Sequence, residues 1–163
     1  MATASAKTHY WRDKLLRLLF NGGDAIVADG GNVPAWENVS AGFNPGTIAN
    51  LYVALATADP TDSGSMNTNE LAGGGYARQG IQRTSANWGV VNTDPANPYV
   101  ENLTGLNWGK NTGAPVTVTH IGVGRDLAGA GVPIAFVPLD APVLIPTGSS
   151  FSIGARGIRI FAL

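Results

Sequence analysis

The chain of 163 residues contains no cysteine. Disulfide bridges and thiolate metal sites are therefore excluded, and the sequence carries no mark of a redox compartment. Charged residues are also scarce, at 13% against a usual share of about 25%. Because hydrophobic residues make up an ordinary 44%, this composition indicates either a neutral polar surface or a surface that other subunits cover.

Clustered basic residues and long apolar runs are also missing. The ten Lys and Arg residues are scattered and the net charge is −1, so nucleic acid is not expected as a partner. No apolar run reaches the roughly 20 residues that a transmembrane helix needs, so no membrane partner is expected. Arg12, Asp13, Lys14 and Arg17 interrupt the N-terminal stretch and make it a poor signal peptide.

Groups that carry catalysis or hold metals are few and far apart in the sequence. His9 and His120 are the only histidines, and neither has a second histidine at metal-ligand spacing. The chain has no Gly-x-Ser-x-Gly motif, so it shows no nucleophile elbow. Nothing in the sequence pairs two carboxylates, such as Glu70 and Glu101, in the way that a glycoside hydrolase requires. We therefore expect no enzymatic activity, no catalytic residues, no metal and no cofactor. If folding does assemble an acid–base pair, His120 and Asp126 are the first candidates.

An oxygen-rich loop follows the first apolar run and ends in three glycines at 73–75. Six side chains with oxygen donors, including Asp59 and Glu70, allow a calcium site, but Asp-Pro and Asp-Ser-Gly are also ordinary turn dipeptides. The glycines lack the Gly-Lys-Ser/Thr ending of a phosphate loop, so we expect them to provide positive φ angles and close backbone approach. Arg78 is expected to make a fixed polar contact, because guanidinium presents five donors in a rigid fork.

Turn residues divide the rest of the chain into short apolar runs. Glycine (22) and proline (10) together form about a fifth of the chain, above the usual share of about 12%, and show no repeat. Short strands at this spacing are typical of β-sandwiches and barrels. We predict an all-β, jelly-roll-like antiparallel β-sandwich of about eight strands in two sheets. The apolar runs are 51–56, 80–84, 88–91, 99–103, 106–109, 115–124, 133–139, 142–145, 150–153 and 157–163.

The run at 115–124 alternates strictly between apolar and polar residues. This pattern predicts Val116, Val118 and His120 on one face of the sheet and the intervening residues on the other. An isolated histidine in such a strand is expected to be half-buried rather than a catalytic base.

A helical period occurs only near the N-terminus. Trp11, Leu15, Leu18 and Leu19 lie at i, i+4, i+7 and i+8, so we predict one short amphipathic helix over residues 9–20. Such a helix docks either on its own domain or, as an arm, on a neighbouring subunit, and the pattern leaves both open.

The stretch that follows, residues 21–50, is rich in Gly, Asn and Pro but contains Trp36 and Phe43. Large aromatic residues need somewhere to pack, so we predict an extended arm or loop that contacts another molecule. The chain is accordingly divided into an N-terminal helix and extended arm at 1–50 and a β-sandwich domain at 51–163.

Two parts of the sequence resemble small virion structural proteins of tailed bacteriophages. "LYVALATADPTDSG", followed by "NELAGGGYARQGI", looks like the front half of those proteins. "VTVTHIGVGRD" and "IAFVPLDAPVLIPTGSSFSIGARGIRIFAL" are similar to their back half. The resemblance covers residues 10–20 and 51–163 and implies a non-enzymatic β-sandwich that assembles into a virion. Such proteins serve either as capsid decoration (cement) proteins or as tail and tail-fibre components.

The first functional hypothesis is a capsid decoration protein that binds between major capsid subunits and stabilises the phage head. It implies a homotrimer on the capsid surface of the virion, made in the host cytoplasm, with itself and the major capsid protein as partners. The second hypothesis is a tail or tail-fibre component. The predicted interaction residues are Trp11, Leu15, Leu18, Trp36, Phe43 and Arg78.

A third hypothesis is a carbohydrate-binding module. Trp36, Trp88, Trp108 and Tyr99 offer rings that could stack on sugars. Aromatic residues in a sandwich more often belong to the core, because each buries a large apolar area.

Overall fold

The computed structural model describes Leu16, Leu19 and Phe20 and the ranges 49–61, 64–91 and 98–161. The predicted all-β, sandwich-like class is confirmed. Apart from those three helical positions, every regular element in these ranges is a strand, and every pairing is antiparallel. The described strands are β1 (Asn50–Ala56), β2 (Gln79–Gln82), β3 (Trp88–Val91), β4 (Tyr99–Asn102), β5 (Leu106–Lys110), β6 (Val116–Gly124), β7 (Pro133–Ile145), β8 (Ser150–Ile153) and β9 (Arg159–Phe161).

The described strands form three hydrogen-bonded sheets rather than the two that a jelly roll would have. Their orders are β2-β1-β6-β7, β3-β4-β9 and β5-β8. Side chains from all three sheets belong to one buried cluster, which includes Val53 of β1, Val100 of β4 and Trp108 of β5. The three sheets therefore enclose a single apolar core.

Strand β1 lies at the centre of the four-stranded sheet. It pairs with β2 on one side and with β6 on the other, where Val53 lies opposite Val123 and Leu55 opposite Ile121. These four side chains are almost fully buried. Branched side chains fit a pleated surface of this kind well, so the apolar run becomes a core strand.

The strict alternation predicted for β6 holds only in its first half. Val118 pairs with Val143 of β7, whereas His120 pairs with Pro138. Two residue positions along β6 therefore lie opposite five positions along β7. Val118 is buried, and the next buried side chain is Ile121 rather than His120, which is half-buried. The predicted division of faces is therefore wrong beyond Val118, because the extra residues of β7 form a bulge that reorients the neighbouring side chains.

The runs 133–139 and 142–145, predicted as two strands, form one strand of 13 residues, β7. Pro138 and Pro142 lie within it, which would be unfavourable in a central strand because proline cannot donate to the ladder. The two prolines are tolerated because β7 is the outermost strand of its sheet among the described strands.

The described part of the predicted N-terminal helix packs on the sandwich. Leu16 and Phe20 are buried members of the core, and Leu19 is half-buried against it. The ring of Phe20 lies 4.9 Å from that of Trp88 in β3. At these three positions the helix docks on its own domain, the first of the two alternatives. The bounds of this helix and the arm at 21–48 lie outside the described residues, and within the described part no helix is long and apolar enough to cross a membrane.

Candidate functional site

A buried ion pair holds the oxygen-rich loop. Arg78 Nε and Nη2 donate to Glu70 Oε1 and Oε2, both at 2.7 Å. The bidentate fork is the strongest geometry for an Arg–carboxylate pair. Its hydrogen bond to Glu70 raises the pKa of Arg78 above the ordinary value. The fixed polar contact expected of Arg78 is therefore confirmed, with a partner that spacing alone did not reveal.

The same guanidinium crosses to the loop that joins β6 and β7. Arg78 Nη1 donates to the carbonyl of Asp126 at 2.8 Å, and Nη2 donates to that of Gly129 at 2.6 Å. Four contacts thus occupy one side chain that is almost fully buried. Arg78 acts as a clamp between two loops that lie about 50 residues apart in the chain.

Tyr76 completes this network. Its hydroxyl donates to Glu70 Oε1 at 2.8 Å and accepts from the backbone amide of Leu55 at 3.0 Å. Burial, more than its other contacts, raises the pKa of Tyr76 above the ordinary value of 10.0. The phenol therefore stays protonated and ties the loop to the end of β1.

The three glycines do what the sequence indicated. Gly73, Gly74 and Gly75 have φ angles of +74°, +61° and +78°. A Cβ on Gly74 would lie 2.5 Å from Asn111 Oδ1 and 3.2 Å from the amide of Gly113. The expected positive φ angles and close backbone approach are thus confirmed, and the loop packs against the one that follows β5.

The oxygen donors of the loop that the structure describes bind the chain itself. Asp59 Oδ1 accepts from the amide of Thr61 at 2.8 Å, Asn69 Nδ2 donates to the carbonyl of Asp59 at 2.8 Å, and Glu70 is engaged by Arg78. No group of three or more His, Asp or Glu side chains suited to a metal occurs within the described residues. The geometry there is that of local turns rather than of a converging cation site.

A second charged cluster lies where β4, β9 and the turn before β9 meet. Glu101 faces two arginines: Arg156 Nε is 3.3 Å from its Oε1, and Arg159 Nε is 3.6 Å from its Oε2. Only 8% of the Glu101 side chain is exposed, against 71% for Arg156 and 55% for Arg159. One buried carboxylate therefore orients two exposed guanidinium groups.

The turn that carries Arg156 is built around Asn102, which is fully buried. Asn102 Nδ2 donates to the carbonyl of Gly154 at 3.0 Å, and its Oδ1 accepts from the amide of Ile158 at 2.7 Å. The Arg156 amide in turn donates to the carbonyl of Asn102. These bonds hold Arg156 at a φ of +64°, a left-handed conformation that is unusual for a residue with a Cβ.

A groove separates this cluster from β7. Its lining includes Arg156, Arg159 and Phe161 on one wall and Pro138, Leu139 and Asp140 on the other. Phe161 is 49% exposed, and its ring lies 5.2 Å from that of Tyr99. Arg159 lies over the Tyr99 ring at 5.4 Å. The groove thus combines oriented cations, one carboxylate and an exposed aromatic ring.

The other chemistry candidates are dispersed. His120 Nδ1 is 2.9 Å from Thr119 Oγ1, whereas Asp126 Oδ2 accepts from the amide of Val132, so the two side chains have different partners. Trp88 and Trp108, two of the predicted sugar-stacking residues, are buried in the core and cannot serve as platforms. Tyr99 does lie near the groove, through its contact with Phe161.

Of the predicted interaction residues, only Arg78 falls in the described part of the chain, and its guanidinium is used internally. Trp11, Leu15, Leu18, Trp36 and Phe43 lie outside the described residues, so their role in binding stays a prediction. Sequence analysis missed the Glu101 cluster. The sequence contained no signal for it, because the strands that carry Glu101 and Arg159 become neighbours only in the folded sheet.

Residues 35–160 match the family model of the podophage GP4 fiber I protein gp80. The matched range covers more than half of the chain and includes β1 to β8. No curated protein matches the chain. The predicted phage virion structural protein is thereby confirmed at that level. The family description names a fibre protein, so it favours the tail-fibre alternative over capsid decoration.

Proposed function

The chain belongs to the family of the podophage GP4 fiber I protein gp80, and we propose that it is a non-enzymatic structural subunit of the phage tail fibre. The match over residues 35–160 is the observation that carries this proposal. The proposed location in the virion is therefore the fibre rather than the capsid surface. Binding to the major capsid protein, the partner expected of a decoration protein, becomes an outcome of the test.

The architecture suits a load-bearing subunit. The Glu70–Arg78 pair and the carbonyls of Asp126 and Gly129 lock two loops to each other. Buried polar networks that are fully hydrogen-bonded make a fold rigid and unique. A fibre that transmits force from a bound cell surface needs such rigid modules.

We propose further that the subunit forms a homotrimer. Val143 and Leu144, two large hydrophobic side chains of β7, are exposed. Residues 141–144 of β7 are all exposed and uncharged, and β7 is the outermost strand of its sheet among the described strands. An uncovered edge strand of this kind is a template for pairing with another chain, and closed rotational symmetry covers it in every subunit.

The location is tested by immunogold electron microscopy of intact virions with antibodies raised against the purified chain. Gold particles on the tail fibres are expected. An antibody against the major capsid protein marks the head in parallel and serves as the control. Gold distributed over the head would contradict the fibre role and restore capsid decoration.

A further inference from the structure

We propose that the groove between β7 and the β8–β9 turn binds an acidic saccharide through Arg156, Arg159 and Phe161. This surface lies apart from the Arg78 clamp, and the inference adds a ligand to the proposed fibre subunit. It rests on that function only for its biological setting, because the groove is a property of the isolated chain.

The two guanidinium groups provide the positive charge of the proposed site. Each is held through Nε by Glu101, and these are their only ion pairs within the described residues. The Nη donors of both arginines make no hydrogen bond within the described residues, although the Arg159 guanidinium also lies over the Tyr99 ring. On the wall beside Glu101 the two cations outnumber the one carboxylate, so this wall complements an anion, while Asp140 lies on the opposite wall.

The backbone conformation at Arg156 fixes the place of its side chain. Its left-handed conformation is imposed by the hydrogen bonds of Asn102. A Cβ at the following Gly157 would lie 2.6 Å from Ile153 Cγ2, so the turn has little freedom to relax. Such strain persists only where surrounding structure enforces it, and it clusters at ligand clamps. The turn therefore presents the Arg156 side chain in a fixed place.

The other residues that line the groove favour one class of anion. The exposed ring of Phe161 suits the apolar face of a sugar, and Asp140 on the opposite wall can accept hydrogen bonds from hydroxyl groups. A bare phosphate has no apolar face for Phe161, and poly-glutamate side chains have no hydroxyl groups for Asp140. A saccharide that carries a carboxylate uses the arginines, the ring and Asp140 together.

The probe is an oligogalacturonate of about six sugars, titrated into the purified full-length chain by isothermal calorimetry. Fully methyl-esterified oligogalacturonate is the neutral comparison and poly-glutamate the acidic peptide comparison. We expect the carboxylate form to bind at least about tenfold more tightly than either, the factor that one lost charge-assisted hydrogen bond produces. Equal binding of the ester or of poly-glutamate, or no binding of the oligogalacturonate, would overturn the proposal.

The variants are Arg156→Gly and Arg159→Gln. Glycine accepts the left-handed conformation, so Arg156→Gly removes the guanidinium while the turn is kept, and a thermal melt verifies the fold. Each variant is expected to weaken binding roughly tenfold. Arg125→Gln, the same charge change outside the groove, is expected to leave binding within about twofold. Unchanged binding in both groove variants overturns the assignment.

A second copy of the chain is the competing occupant. Light scattering of the wild type and of both groove variants, with and without the oligosaccharide, separates the two. An oligomer that dissociates on substitution or on sugar binding would show that the groove is a subunit interface and would sink the saccharide proposal. The binding and light-scattering measurements do not depend on where the protein lies in the virion. The saccharide proposal and the fibre proposal can therefore fail separately.

Discussion

Arg78 meets both carboxylate oxygens of Glu70 at 2.7 Å, and the Arg78 side chain is almost inaccessible to solvent. Glu70 and Arg78 lie eight positions apart in the chain, and two additional carbonyl contacts of Arg78 join this segment to the β6–β7 connection. Removal of one partner therefore leaves a charge in the interior with no counterion.

Glu70→Gln is expected to lower the free energy of unfolding by about 3 kcal/mol, because the amide cannot neutralise the buried guanidinium. Urea denaturation followed by tryptophan fluorescence measures the loss. Arg125→Gln removes a contact of 3.6 Å with Asp126, in which both residues are partly exposed, and is expected to cost less than about 1 kcal/mol. Equal stability losses in the two variants would show that the Glu70–Arg78 pair stabilises the fold no more than the Arg125–Asp126 contact does.

Tyr76 is expected to make the fold sensitive to alkali. Its pKa is raised in the folded state, chiefly by burial, so the unfolded chain loses the phenol proton first. The contribution is fully present below pH 10.0 and is lost as the pH rises toward the folded value. Unfolding free energies at about pH 8 to 11 should therefore fall less steeply for Tyr76→Phe than for the wild type. Parallel profiles would show that another group governs alkaline unfolding.

Substitutions at two neighbouring glycines distinguish the stability cost of backbone strain from that of steric contact. Gly73→Ala meets no atom within 4 Å and is expected to cost only the left-handed conformation, about 1 kcal/mol. Gly74→Ala additionally displaces Asn111, whose amide group holds the carbonyl of Ala114. It is expected to cost about 1 to 3 kcal/mol more. Thermal or urea unfolding compares the pair, and equal costs would exclude a close approach at Gly74.

Phe20 tests whether the N-terminal helix is part of the domain. Its ring contacts Trp88 in the core, so Phe20→Ala is expected to destabilise the fold by about 3 to 5 kcal/mol and to shift the tryptophan emission. Leu19→Ala, at a half-buried position, should cost clearly less. If Phe20→Ala unfolds like the wild type, the helix is instead a detachable arm, and the division at residue 50 gains support.

The edge strand tests the proposed trimer. Leu144 on β7 and Leu127 in the β6–β7 loop are each 60% exposed. Leu144→Lys should dissociate the oligomer if β7 pairs between subunits, because a charged side chain protects an open edge. Leu127→Lys should leave the oligomer intact. Sedimentation equilibrium at micromolar concentration measures both, and a monomeric wild type would refute the trimer for the isolated chain.

Strand positions and turn chemistry followed from the sequence alone. The apolar runs at 51–56, 88–91 and 150–153 became β1, β3 and β8 with shifts of at most one residue. The three consecutive glycines indicated their own positive φ angles. These properties are local: apolar runs between turn residues extend, and glycine alone occupies left-handed backbone at little cost.

Partnerships between distant segments were decided only by the tertiary structure. The sequence indicated that Arg78 makes a polar contact, but it did not identify Glu70 as the counterion. It also did not predict that Glu101 pairs with Arg156 and Arg159. Nor could the alternation in β6 reveal the bulge that separates Val118 from His120, since the extra residues lie in β7. Register and ion pairing depend on which strands become neighbours, and that choice is made by the packing of the whole core rather than by any one segment.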